Sequence, residues 1–315
     1  MYHSAVQALL CPVCADSFDL PAAGAAALVC RSGHNFDIAK QGYVSLLTGA
    51  GTRFTADTAQ MVEARAAFLA AGHYRPLAEA LADMVAGQLS NHATGPLSHH
   101  AAGPLTGQLS EGQHRPPSAA EAARHQDLLV DAGTGTGYYL EEIHRRVDVA
   151  SVGLDISKYA LRRAARTNPE TVNVAWDLWR PLPLAAGSAA AVVDVFAPRN
   201  AAEFARILRP GGFLAVVTPL PGHLAEIAQP AGLLAQQEHK QEALEASLSQ
   251  FFRLTSTRQL EYQMELDRQD VVRAAMMGPS GHHVDPAELR DTVAQLQETS
   301  LVSARFRLSL FHQLD

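Results

Sequence analysis

LLVDAGTGTGYYL, residues 128–140, is the stretch that decides the fold class of this chain. Leu128, Leu129 and Val130 make a short buried strand that runs directly into Asp131, Gly133, Gly135 and Gly137, and a helix is expected from about Tyr138. Glycines at those positions let the backbone turn tightly and approach a ligand, because a side chain there would fill the ligand's space. A second strand, Ser151 to Leu154, ends in Asp155, about 20 positions beyond the glycines, where an acid can accept hydrogen bonds from both hydroxyls of a ribose. A third, Val172 to Ala175, ends near Asp177, which is placed for adenine contact.

Glycine loops after a first strand also serve dinucleotide enzymes. Two features separate the readings. Asp131 puts an acid at the strand end, where a pyrophosphate would be repelled and a cationic amino-acid group welcomed, a demand that S-adenosylmethionine meets. ARILRPGGFLAVVTP, residues 205–219, then reads as a helix end, a Pro-Gly-Gly turn and a buried strand, the usual introduction of the fifth strand in class I methyltransferases. Residues 253–265 and 304–312 alternate as closing strands, with Phe306, Leu308 and Leu310 on one face. The expected fold is α/β, a Rossmann-like class I S-adenosylmethionine-dependent methyltransferase domain with helices on both faces of a mostly parallel sheet.

All three cysteines lie within residues 9–47, as Cys11-x2-Cys14 and Cys30-x3-His34. An odd count and an N-terminus without the basic and apolar regions of a secretory signal argue against disulfides. Three thiolates and an imidazole suit tetrahedral zinc, and a closed set of four leaves no position for water or substrate, so the Zn2+ is expected to be structural, in a small N-terminal ribbon. Free buried cysteines and a redox Cys-x-x-Cys are the competing readings.

With 315 residues, 47% of them hydrophobic, the chain can bury a large domain and a small one. The absence of an apolar run of about 18 residues excludes a membrane helix and points to the cytoplasm. Lys plus Arg number 25 against 32 Asp plus Glu, a formal charge of −7, so RNA contact has to be local. Between Gly87 and His125 the composition turns to Gly, Pro, Ser and Ala with five of the 14 histidines (His92, His99, His100, His114, His125), which reads as a flexible linker. Before it, Thr58 to Ala71 is a helix closed by Gly72, and Pro76 starts another. The expected organisation is a zinc ribbon for RNA recognition over residues 1–50, a helical connector over 51–86, the linker over 87–125 and the methyltransferase domain over 126–315.

FDIAKQGYVSLL (36–47) and ARAAFLAAGHYRPL (64–77), standing between the ribbon and the glycine loop, together with VFAPRN (195–200) and TPLPGHL (218–224), resemble the RlmA family of 23S rRNA guanine-N1 methyltransferases over nearly the whole chain apart from the linker. The resemblance implies Cys11, Cys14, Cys30 and His34 as zinc ligands, Tyr74, Gly135 and Thr136 at the cofactor and His223 beside its methionine part. Thr134 stands where the family loop commonly has a cysteine. MMGPSGHH (276–283) is similar to the Gram-positive, macrolide-resistance branch, which implies guanine 748 of the helix 35 hairpin in 23S rRNA as the target, with 745 the other candidate. Transfer to guanine N1 must remove a proton. Asp177 and Asp194, near strand ends, are candidates by position only, so the catalytic base is left unassigned; Phe196 and Tyr74 are rings on which the target base could stack. The partner is the rRNA hairpin, with Arg31, Lys40 and Arg53 as candidate RNA contacts and a homodimer left open. A methyltransferase of a small molecule, or a non-catalytic zinc-ribbon RNA-binding protein, are the alternatives.

Overall fold

The computed structural model describes residues 3–22, 24–49, 51–93, 127–233 and 246–314. In chain order these are α1 (His3–Ala8), β1 (Ala27–Val29), β2 (Asn35–Asp37), β3 (Tyr43–Ser45), α2 (Ala59–Ala70), α3 (Arg75–Ala93), β4 (Leu128–Ala132), α4 (Tyr138–His144), β5 (Ala150–Asp155), α5 (Lys158–Thr167), β6 (Val172–Ala175), β7 (Ala189–Val195), α6 (Ala201–Ile207), β8 (Leu208–Pro219), α7 (Ala225–Ala228), β9 (Phe252–Asp267), α8 (Arg268–Met277), α9 (Pro286–Val293) and β10 (Thr299–Gln313).

The central sheet has the order β3-β6-β5-β4-β7-β8-β10-β9. Neighbours from β3 to β8 are parallel, and β10 and β9 close the sheet antiparallel. Strands β4, β6 and β7 are buried throughout, as a parallel sheet covered on both faces requires. On one face, Phe68, Leu77, Leu81 and Leu140 pack against Leu129, Val193 and Phe306. On the other, Phe204 and Ile207 pack against Val130, Val152 and Val192. Phe306, Leu308 and Leu310 share the buried side of β10, as their alternation requires.

Three details depart from the sequence reading. The linker was expected from Gly87, but α3 continues to Ala93: Leu81, Val85 and Leu89 form an i, i+4, i+8 stripe that stays buried across the glycine. Residues 94–125 of that expected linker lie outside the described residues. The Pro-Gly-Gly turn is a bulge within β8, since Ala189 pairs with Leu208 and Ala191 with Phe213 while Arg209 to Gly212 loop out.

The third concerns the first 50 residues. β1 and β2 form a hairpin, but β3 leaves it and pairs in parallel with β6 at the edge of the central sheet. Leu10 N–H donates to the Pro183 carbonyl at 2.9 Å and Ala185 N–H to that of Ala8 at 2.9 Å. Leu9, Phe18, Leu28 and Val44 belong to the same core as Leu128, Val130 and Leu184. The hairpin is therefore continuous with one face of the sheet.

Candidate cofactor site and metal centre

The sheet order reverses at β4, which has β5 on one side and β7 on the other, and ligands of open α/β sheets lie beyond the carboxyl ends of the strands at that point. The loop 131–137 occupies it. Gly133, Gly135 and Gly137 all take positive φ, 87°, 54° and 80°. A Cβ on Gly133 would come within 2.3 Å of Ala197 Cβ, and one on Gly137 within 2.5 Å of Asn168 Nδ2, so neither tolerates a side chain. Asn168 in turn donates to the Gly137 carbonyl at 2.8 Å and holds the start of α4. Thr134, which stands where the family loop commonly has a cysteine, packs over Gly153: its hydroxyl oxygen lies 3.1 Å from the position a Cβ would take there. Thr136 is buried in the same loop.

Asp155 closes the loop from β5. Its Oδ2 accepts from Gly135 N–H at 2.9 Å and its Oδ1 from Ser157 N–H at 2.7 Å. Each oxygen keeps a lone pair for a further donor. Burial raises its pKa against the pull of Ser157 N–H and of Arg65. Asp131, 3% exposed, is lifted by burial to about 7. Asp177 follows β6; Thr52 Oγ1–H donates to its Oδ2 at 2.7 Å and Trp179 N–H to its Oδ1 at 3.0 Å.

Beyond the loop lies an aromatic wall. Tyr74 is buried, edge-on to Phe68 and Phe306 at 5.1 and 5.0 Å, and its hydroxyl is 2.9 Å from His223 Nε2. Arg305 N–H donates to His223 Nδ1 at 3.1 Å, so the ring's own proton sits on Nε2 and is given to Tyr74. The phenol proton of Tyr74 is then left for another acceptor. Burial lowers His223 to about 4 and raises Tyr74, so both are neutral at physiological pH. Phe196 stands 6.4 Å from both Tyr74 and Tyr139 and 5.8 Å from Phe306, is 42% exposed and takes a φ of 56°, a strained position for a bulky residue. Asp194 is fully buried, raised to about 7 by desolvation, with Arg199 Nε 3.0 Å from its Oδ1.

Sequence reasoning missed Arg65, Thr52 and Arg199. Arg65 on α2 pairs with Asp57 at 2.6 Å, donates to the Met277 carbonyl at 2.7 Å, and holds its Nη1 3.7 Å from where a Cβ on Gly135 would be, a cation over the glycine loop. Its place within ARAAFLAAGHYRPL was the available signal.

The metal ligands converge. The donor atoms of Cys11, Cys14, Cys30 and His34 all lie within 4.8 Å of one another. Zinc bonds of about 2.3 Å to sulfur and 2.0 Å to nitrogen at tetrahedral angles place two sulfurs about 3.8 Å apart and sulfur and nitrogen about 3.5 Å apart. Cys14 Sγ to Cys30 Sγ is 3.7 Å, and Cys30 Sγ to His34 Nδ1 is 3.4 Å. His34 N–H points at Cys30 Sγ at 3.3 Å, and the backbone N–H of Asp16 draws Cys14 down to about 6, whereas burial raises Cys11.

A glycine loop at the switch point, an acid at the end of the next strand and a closing antiparallel pair define a class I S-adenosylmethionine-dependent methyltransferase, here joined to a closed zinc site. Residues 9–48 match the family described as RlmA, N-terminal, and residues 129–212 match a methyltransferase domain. The chain is 39% identical, over 94% of its length and 93% of the relative's, to the 23S rRNA (guanine(748)-N(1))-methyltransferase of Streptomyces fradiae. It is 40% identical, over the whole of both chains, to a protein of Micromonospora griseorubida named as a candidate 23S rRNA (guanine-N(1)-)-methyltransferase, and 28% identical over 70% of its length and 67% of the relative's to a Bacillus subtilis protein named in the same way. The chain belongs to the RlmA-type family of 23S rRNA (guanine-N1) methyltransferases.

Proposed function

We propose that this enzyme transfers the methyl group of S-adenosylmethionine to N1 of a guanine in the helix 35 hairpin of 23S rRNA, at position 748 in preference to 745, and that the modification protects against macrolides. The observation that carries the reading is the end-to-end likeness to the Streptomyces fradiae enzyme, which covers ribbon and catalytic fold together. A ribosomal substrate suits a cytoplasmic protein, and no described helix is long and apolar enough to cross a membrane. One chain supplies every group named here, so the reading needs no second copy.

The cofactor supplies an electrophilic methyl on a sulfonium, and the protein's task is alignment. Asp155 is set to accept from the ribose hydroxyls and Asp131 from the cationic amino group. Arg65 offers the loop a counter-charge for a carboxylate, and Gly133, Gly135, Thr136 and Gly137 bring backbone within reach. Asp177 serves the adenine end, Tyr74 and His223 the methionine end. Phe196 gives a flipped base an exposed face. Asp194 lies beside Arg199, and Asp177 is held by Thr52 and Trp179; neither is assigned as the acceptor of the N1 proton. The test is incubation of the purified protein with labelled S-adenosylmethionine and either unmodified 23S rRNA or a metabolite pool, with primer extension, since N1 methylation blocks the Watson-Crick edge. A stop at 748 that disappears when the guanine is replaced by adenine is expected. Transfer confined to the metabolite pool would refute it.

A further inference from the structure

We infer that Phe54 and Trp179, flanked by Arg53 and Arg180, form a stacking platform for unpaired nucleotides of the RNA next to the target base; this rests on the rRNA reading above. The two rings are 38% and 51% exposed, with centroids 6.4 Å apart and planes 35° from parallel. Scattered exposed aromatics are ordinary, but these two are held out together by a buried carboxylate and the half-buried hydroxyl that it accepts from. Asp177, 5% exposed, accepts the Trp179 N–H on one oxygen and the Thr52 hydroxyl on the other, and Thr52 Oγ1 accepts the Phe54 N–H at 3.1 Å. One carboxylate thus fixes the backbone of both aromatic residues, which come from segments 125 positions apart. Arg180 adds a second brace: its guanidinium lies 4.9 Å from the ring of buried Trp176 and donates to the Gly51 carbonyl at 3.4 Å.

Exposed ring faces suit an occupant that is itself flat, and every nucleobase offers a π-face. Charge points the same way. Arg53 lies over the Phe54 ring at 5.2 Å and pairs with no carboxylate among the described residues, so in a chain of net charge −7 this rim keeps a free cation for a phosphate. The platform stands at the end of β6, whereas Phe196 follows β7; in the order β6-β5-β4-β7 that is three inter-strand steps, about 14 Å. That separation assigns the rings to nucleotides flanking the target.

The chain has two tryptophans, and Trp176 is buried, so fluorescence quenching by bases reports Trp179. The hairpin RNA should quench emission of the full-length protein saturated with S-adenosylhomocysteine, while heparin, which offers anionic charge without bases, should not. Trp179→Ala and Phe54→Ala should each weaken hairpin binding by about 5- to 150-fold, the range for losing one stacked base, with S-adenosylhomocysteine affinity within twofold of wild type and an unchanged melting temperature. Trp179→Phe should retain most of the affinity and lose the quench. Unchanged hairpin affinity in both alanine variants overturns the inference. So does quenching by S-adenosylhomocysteine alone accompanied by its weaker binding in those variants, which would make the rings a roof for the adenine. A wild-type protein that neither binds nor methylates the hairpin refutes the rRNA reading itself, and the platform with it.

Discussion

Replacing Asp131 by asparagine should make cofactor binding weaker and nearly independent of pH. The carboxyl is buried at the end of β4 and its pKa stands at about 7 in the folded protein, against an ordinary 3.8. At about 1.4 kcal/mol for each tenfold step in proton affinity, that gap amounts to about 4 kcal/mol of disfavour for the ionised form. The sign follows from proton counts. Between about pH 3.8 and 7 the folded state holds a proton that the unfolded chain has lost, so this group's contribution is fully present below 3.8, declines through that window and is gone above 7. Asp194 acts with the same sign, whereas His223, lowered to about 4, acts with the opposite sign between about pH 4 and 6.5, so the check is a comparison: from pH 5 to pH 8 the cofactor-free Asp131→Asn variant should gain stability relative to wild type.

A cationic ligand reverses the preference, because it needs the carboxylate ionised. For a group titrating near 7, affinity for S-adenosylmethionine should rise about tenfold from pH 6 to pH 8, with proton release that calorimetry in buffers of different ionisation enthalpy can count. The asparagine variant should bind about 10- to 150-fold more weakly at pH 8, the range for losing a charge-assisted hydrogen bond, and should release no proton. A variant that keeps the wild-type pH profile of cofactor affinity would refute the assignment of Asp131 to the cofactor's amino group.

Gly133→Ala and Gly135→Ala share the cost of a left-handed backbone, about 1–2 kcal/mol, but only the first drives a Cβ to 2.3 Å from Ala197, so denaturant titration should find it more destabilising by a further 1–3 kcal/mol or so. Arg65→Gln should weaken S-adenosylhomocysteine tenfold or more while leaving 5′-methylthioadenosine, which lacks the amino-acid part, within twofold by calorimetry; equal losses would make Arg65 a brace for Asp57 and Met277 only. Cys30→Ser should lose the zinc equivalent by elemental analysis and lower the melting temperature, and because Leu28 and Val44 share a core with Val130 the protein should still melt in one transition.

What could be read in the sequence was whatever its local chemistry dictates. Gly133, Gly135 and Gly137 announce positive φ because other residues pay for it, and Cys11-x2-Cys14 with Cys30-x3-His34 announces a metal because the spacing is the coordination geometry. Tyr43 to Ser45 announces nothing of the kind: three residues become a strand only because Val172 to Ala175 presents an open edge some 130 positions later. Thr52 is equally mute until Asp177 stands 2.7 Å away. The helical reach of α3 past Gly87 was legible, in Val85 and Leu89, but a composition count weighted the glycine and serine above the stripe.

The same distant pairing changes what the metal is for. A zinc hairpin tethered by a loose chain could fall apart without disturbing the catalytic fold. Here the chain leaving the hairpin becomes β3, hydrogen-bonds to β6, and within a few residues delivers Thr52 to Asp177 and Phe54 to the surface beside Trp179. The register of β3 is set at one end by Ile38, which bridges to Val44, and at the other by Leu46, whose N–H donates to the Ala175 carbonyl at 3.3 Å. A hairpin this short has too little apolar area to hold that register alone, and four ligands on one ion supply what its core lacks. Zinc therefore reaches Asp177 along the chain, from Cys30 through the β1–β2 hairpin and β3 to Thr52, and then by the Thr52 hydrogen bond, which is a reason for the chain to gather its cysteines at one end.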